Sequence, residues 1–129
     1  MKKTVKKILL CVFLAGAMSI VAAAADVSGR WTGSFTPDGG ESHTAFFVLK
    51  QNGNAIAGTA GPEENQQWPD LKGTIHGDKV TLEVKSPEDG MTYKCDLLLA
   101  GDRLKGDVTA TPGGGGEALK GKVDVARVK

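Results

Sequence analysis

The chain has 129 residues, in which 16 Lys and Arg stand against 15 Asp and Glu. These charges are mixed along the sequence, so nothing in it predicts the basic surface of a nucleic-acid-binding protein. The length suits one small domain with a single core.

Residues 1–25 have the pattern of a secretory signal peptide. A basic start, "MKKTVKK", precedes the apolar stretch "ILLCVFLAGAMSIV", and the small residues "AAAA" offer a cleavage site before Asp26. An uncleaved membrane anchor is the alternative, since the apolar stretch approaches the ~18 residues that a membrane span needs. We expect cleavage after Ala24 or Ala25, a secreted or periplasmic location, and no membrane insertion of the mature chain.

Cleavage would change both the net charge and the number of cysteines. Removing the four lysines of residues 1–25 from the 16 basic residues leaves 12, against all 15 acidic ones, a net charge near −3. Cys95 is then the only cysteine of the domain, so no internal disulfide is predicted. We interpret Cys95 as a small buried hydrophobic residue rather than a reactive thiol.

Residues 26–129 alternate between hydrophobic and polar side chains, a pattern typical of strands with one buried face. In "KVTLEVK" (79–85), for example, the valines and the leucine share one face, while lysine, threonine and glutamate occupy the other. The alternation predicts eight strands, near residues 29–36, 43–51, 54–60, 67–76, 79–85, 91–100, 103–110 and 118–128.

The connections between these strands fall into two classes. "NG", "GD" and "GD" join strands 2–3, 4–5 and 6–7, and such pairs are typical of tight hairpin turns. The other four connections are longer: "PDGGES", "GPEENQQ", "SPEDG" and "TPGGGGE". Because alternate connections of an up-and-down meander lie at the same end, the sequence predicts a cup with tight turns at its base and longer loops at its mouth.

Closing this meander into an eight-stranded antiparallel β-barrel would remove its exposed edges. A two-sheet sandwich is the main alternative. A membrane barrel is excluded because it needs an apolar outer face, whereas the outward positions here carry many lysines, aspartates and glutamates.

The triplet "LKG" recurs in "LKGTIHG" (71–77), "LKGDV" (104–108) and "LKGKV" (119–123). Each glycine shares the inward phase of its hydrophobic neighbours, where it permits the sharp coiling and close backbone approach of a small barrel. His76 falls on the outward phase beside a tight turn. We interpret the repeat as a feature of the fold, and His76 as a solvated side chain rather than a ligand or catalyst.

The two ends of the domain carry a family resemblance. The first strand reads "SGRWTGSF", with Gly29 and Trp31 forming a G-x-W motif, and the last strand ends "VDVARVK". This pair resembles the calycin superfamily of lipocalins and avidins. The resemblance implies that Trp31 plugs the barrel base and that Arg127 packs over its ring.

The resemblance does not extend to every feature of these families. The C-terminal helix of lipocalins is absent, and no residue matches a biotin contact of the avidins. Bacterial metalloprotease inhibitors with the same small barrel are further relatives, but their usual disulfide cannot form here.

No convergent catalytic set is visible in the sequence, which lacks a nucleophile motif, a phosphate-binding loop and a close cluster of metal ligands. We therefore expect no enzyme activity, no catalytic residue, no metal site and no cofactor. An aromatic rim over an apolar cup is instead typical of small-ligand binding. The candidate ligand-binding residues at the mouth are Phe35, His43, Trp68, Met91 and Tyr93.

The sequence thus predicts an exported, non-enzymatic binding protein that holds a small apolar ligand at its mouth. Two alternatives stay open. The first is a protein-interaction module, such as an inhibitor of an exported protease. The second is a barrel filled by its own side chains, which is possible because eight strands enclose little more than their own interior side chains.

Overall fold

The computed structural model describes residues 26–129, which form one antiparallel sheet closed into a barrel. Each strand pairs with its neighbours in chain order, and β1 closes the barrel against β8. The strands are β1 (Gly29–Pro37), β2 (His43–Asn52), β3 (Ala55–Glu63), β4 (Gln66–His76), β5 (Lys79–Lys85), β6 (Thr92–Ala100), β7 (Arg103–Thr111) and β8 (Leu119–Arg127). The predicted up-and-down barrel is confirmed, and the sandwich is excluded.

The predicted signal peptide lies outside the described residues. Within residues 26–129 no helix is long and apolar enough to cross a membrane.

The three predicted tight turns all lie at one end of the barrel, which we call the base: residues 53–54, 77–78 and 101–102. Each begins with a glycine, at Gly53, Gly77 and Gly101, whose φ of 65°, 65° and 63° is one that other residues rarely adopt. Residues 38–42, 64–65, 86–91 and 112–118 connect the strands at the other end, which we call the mouth.

The β3–β4 connection is shorter than the sequence predicted. It has two residues, 64–65, because β3 continues to Glu63 and β4 begins at Gln66. The glycine and proline in "GPEENQQ" are typical of loops, but pairing with β2 at Gly61 and with β4 at Glu63 overrides this local preference. The Gln67 side chain assists the pairing by donating hydrogen bonds to the backbone oxygens of Phe46 (3.1 Å) and Glu63 (2.7 Å).

The inward glycines allow neighbouring strands to approach closely. A Cβ at Gly33 would lie 2.0 Å from the backbone oxygen of Asp124, and one at Gly106 would lie 2.1 Å from that of Asp96. No side chain fits at such distances, so these positions require glycine. The interpretation of the "LKG" repeat as a feature of the fold is confirmed, and His76 is exposed as predicted.

The base of the barrel is packed solid around Trp31, which is fully buried. Arg127 is its register partner on β8 and places its guanidinium carbon 4.4 Å from the centre of the indole ring. The segment before β1 also contacts Trp31: Val27 is fully buried, and its carbonyl accepts the indole N–H at 3.0 Å.

Arg127 also ties the N-terminal segment to the last strand. Its guanidinium donates hydrogen bonds to the carbonyl oxygens of Ser28 (2.8 Å) and Asp26 (2.9 Å). Its Nε donates to Asp102 in the β6–β7 turn at 3.0 Å. Trp31 and Arg127 therefore meet where the sequence predicted, and Arg127 joins three segments that are far apart in the chain.

Candidate ligand-binding site

A cavity of about 340 Å³ occupies the half of the barrel that faces the mouth. Its inner wall consists of inward-facing side chains from six of the strands, including Phe47, Leu71, Leu82, Cys95, Val108 and Val123. This volume lies at the lower end of the range for small-molecule sites, roughly 300–1,000 Å³. The barrel is thus filled at its base and hollow at its mouth.

Four aromatic rings surround the cavity near its opening. The rings of Trp68 and Tyr93 stack with centroids 5.2 Å apart and planes 15° from parallel. Phe35 meets Tyr93 edge-on, with centroids 6.2 Å apart, and stacks on His43 at 6.3 Å. These four predicted residues come from β1, β2, β4 and β6, and the barrel brings all of them to the cavity wall.

Met91, the fifth predicted residue, does not line the cavity. It lies in the β5–β6 connection, one residue before β6 begins. Its backbone shapes that loop, since its N–H donates to the Asp89 carboxylate at 3.0 Å and its carbonyl accepts from Ser86 N–H at 2.8 Å. Met91 therefore belongs to the loop at the mouth and not to the residues that line the cavity.

Trp68 reaches the cavity against the simple alternation of its own strand. Leu71 and Ile75 are buried inward-facing residues of β4. Counting back in twos from Leu71 puts Pro69 inside and Trp68 outside the barrel. Nevertheless, Trp68 lines the cavity.

An irregularity in the pairing of β3 with β4 changes, at this point, which residues of β4 face into the barrel. Gly58 pairs with Leu71 and Ala60 pairs with Trp68, so β4 has one residue more than β3 between these pairs. Asp70, in this extra length, has a φ of 63° and is the only non-glycine residue in 26–129 with positive φ. Such a bulge re-aims the side chains beside it, here that of Trp68 two residues earlier in the chain.

A second irregularity restores the register beyond Trp68. Between the pairs Ala60–Trp68 and Glu63–Gln66, β3 has one residue more than β4. This second extra residue is on β3, so it restores the pairing without returning the side chains of β4 to their earlier faces. Pro62 on the opposite strand also lines the cavity.

The two tryptophans differ in how their indole N–H groups are paired. That of Trp31 donates to a backbone carbonyl. That of Trp68 is shielded from solvent and finds no acceptor among the residues that the structure describes. Leaving a buried donor unpaired costs about 1–3 kcal/mol, so Trp68 occupies its place at a cost to stability.

The cavity wall carries no Asp, Glu, Lys or Arg side chain. Burial raises the pKa of the Cys95 thiol to about 12, so this cysteine is neutral, as expected of a buried hydrophobic residue. Burial, and then the charge of Asp89, raise the pKa of Tyr93. Since a buried charge is costly without a partner, the site favours an uncharged ligand.

The sequence predicted four of the aromatic residues at the opening of the cavity, but it did not predict the aliphatic residues that line its interior. The inward phase of Leu82, Cys95 and Val108 was visible in the alternation, yet the same alternation describes a filled core. Nothing in a single sequence separates these two cases. No group of three or more His, Cys, Asp and Glu within residues 26–129 is placed to hold a metal ion.

No protein-family model matches this chain, and no curated protein sequence does so either. Among solved structures, the barrel is similar to one described as EF1p2_mFAP2b bound to DFHBI, with a TM-score of 0.61. The similarity covers 79% of this chain and 94% of that one, at 10% sequence identity. At this identity the similarity shows the fold alone, an eight-stranded antiparallel barrel.

Proposed function

We propose that this protein is a non-enzymatic binding protein that holds one small, uncharged, mostly apolar ligand in the mouth cavity. The observation that carries the proposal is the cavity itself. The side chains that line this cavity lack the van der Waals contacts that a barrel filled by its own side chains would make. A ligand of matching shape would restore those contacts.

The similar barrel supports this proposal in one respect. That protein is bound to DFHBI, so a barrel of this architecture can accommodate a small molecule. The aromatic rim of the present chain adds a reason of its own, because aromatic rings present large and rigid contact surfaces.

Titration with the neutral fluorescent probe N-phenyl-1-naphthylamine tests the proposal. We expect saturable binding of one probe per chain, with increased probe emission as it enters an apolar site. Tryptophan emission should change in the same titration, because Trp68 lines the cavity. An absence of saturable binding by this probe, by DFHBI and by smaller naphthalenes would contradict the proposal.

Two substitutions on β3 distinguish the cavity from the outer surface. Ala60 is buried and lines the cavity, whereas Ala57 is exposed on the outer face of the same strand. Ala60→Leu places additional volume in the cavity and should weaken probe binding by tenfold or more. Ala57→Leu adds the same hydrocarbon outside and should leave the affinity unchanged.

Export, with removal of residues 1–25, is part of the proposal and can be checked by N-terminal sequencing of the protein secreted by its host. We expect the mature chain to begin at Ala25 or Asp26. The alternative of a protease inhibitor rests on the family resemblance, and no contact within residues 26–129 favours it over ligand binding.

A further inference from the structure

The sheet that forms the barrel wall has a gap in its hydrogen bonding between β4 and β5. The ladder between these strands is the shortest of the eight and ends at the pair Lys72–Glu83, although both strands extend further toward the mouth. Two residues of β4 disfavour a longer ladder, since Pro69 has no N–H to donate and Asp70 has the left-handed φ of 63°. On the mouth side of Lys72, the two strands are therefore not paired with each other.

A groove on the outside of the barrel lies over this unpaired stretch. It is lined by residues of β4, of β5 and of the connection after β5, including Pro69, Asp70, Lys85 and Pro87. Val84 lines this groove and also lines the mouth cavity on the inside. Val84 is therefore the residue of the wall that the groove and the cavity share.

The aromatic rings near the opening narrow the way into the cavity from the mouth. Phe35 on β1 meets Tyr93 on β6, and Trp68 on β4 stacks on the same Tyr93 ring. None of these three strands is a neighbour of another in the sheet. These ring contacts therefore pass through the interior of the barrel, at the mouth end of the cavity.

We propose that a ligand enters and leaves the mouth cavity sideways, between β4 and β5, and that Val84 is the residue that moves aside. This inference depends on the proposed function and adds the route by which a ligand reaches the site. Elsewhere in the wall, such a passage would break the backbone hydrogen bonds of a ladder, which are costly to leave unmade. Between β4 and β5, on the mouth side of Lys72, that ladder is absent.

Filling the groove from outside tests the route. Lys85 lines the groove but not the cavity, so Lys85→Trp adds a large ring on the proposed route without touching the bound ligand. A residue on the route and outside the site changes the association and dissociation rates by the same factor. In stopped-flow fluorescence with N-phenyl-1-naphthylamine, we expect both rates to fall about fivefold or more, with an unchanged Kd.

Two further tryptophan variants are the controls. Lys79→Trp makes the same replacement at an exposed position at the base end of β5 and should change neither rate. Gly114→Trp places the ring in the β7–β8 connection at the mouth, where a Cβ would meet no other atom within 4 Å. It too should leave both rates unchanged if the ligand passes between β4 and β5.

A pair of valine substitutions tests the route in the opposite direction. Val84→Ala should raise the association rate about threefold or more, because it thins the wall between the groove and the cavity. Val108 is also buried and lines the cavity, but it does not line the groove. Val108→Ala removes the same methyl groups and should leave the association rate unchanged.

The outcomes separate this inference from the proposed function. If the probe binds but its rates are unaffected by Lys85→Trp, or are lowered by Gly114→Trp instead, the sideways route is wrong while ligand binding stands. If the probe does not bind the wild-type chain, the proposed function is wrong and the route falls with it.

Discussion

Replacing Arg127 with alanine should destabilise the barrel far more than an ordinary surface substitution does. The change removes the guanidinium that lies 4.4 Å from the Trp31 ring centre and the hydrogen bonds to the carbonyls of Ser28 and Asp26. The ion pair with exposed Asp102 adds little.

The magnitude follows from these contacts. A partly desolvated cation–π contact contributes about 1 kcal/mol, the hydrogen bond to the half-buried Ser28 carbonyl about 1 kcal/mol, and packing of the side-chain stem about 1 kcal/mol. We therefore expect Arg127→Ala to lower the free energy of unfolding by about 2–3 kcal/mol. For a domain of this size that corresponds to a fall of roughly 10–20 °C in Tm.

Arg103→Ala is the matched control. Arg103 begins β7 at the same end of the barrel and pairs with Asp124 at 2.6 Å, but its side chain is 53% exposed, against 24% for Arg127. The loss should stay below about 1 kcal/mol. Urea unfolding followed by tryptophan fluorescence measures both variants. Equal losses for the two arginines would refute the reasoning that Arg127 holds the base together.

Three further substitutions test other parts of the structure. Gly106→Ala places a Cβ 2.1 Å from the Asp96 carbonyl oxygen and should lower the free energy of unfolding in urea by more than about 2 kcal/mol. Gly114→Ala, whose Cβ lies in open space, should lower it little. Equal losses would argue against the close approach of the strands. Asp70→Val should lower the free energy of unfolding by about 1–3 kcal/mol, because a β-branched residue rarely adopts a φ of 63°. Asp70→Gly should keep a stability near that of the wild type. Similar losses for the two variants would argue against the bulge. Because burial raises the pKa of the Cys95 thiol from 9.0 to about 12, the neutral thiol favours the folded state below pH 9, and that stability is lost as the pH rises toward 12. Cys95→Val should therefore lose less stability than wild type between pH 9 and pH 12, and parallel curves would contradict the assignment.

Hydrophobic alternation and turn residues act locally, so the sequence was sufficient to predict eight strands in an up-and-down order. It favoured closure into a barrel but left a two-sheet sandwich open, and the pairing of β1 with β8 decides for the barrel. The packing of Arg127 on Trp31 was implied by the family resemblance of the first and last strands, and the structure has it.

The failures lie where tertiary pairing overrides local preference. The sequence predicted a long loop between β3 and β4 because Gly61 and Pro62 are poor strand residues. Pairing with β2 and β4 nevertheless extends β3 through both residues. The inward position of Trp68 depends on two compensating bulges, which alternation cannot show. Pro69 was the available signal, since a proline within a strand often marks a bulge.

A crystal structure of the chain with N-phenyl-1-naphthylamine would test the central claim most directly. We expect the naphthalene ring in the mouth cavity beside Tyr93 and Trp68, which line it. A ligand bound only on the outer surface, or a cavity closed by inward movement of its own side chains, would contradict the account.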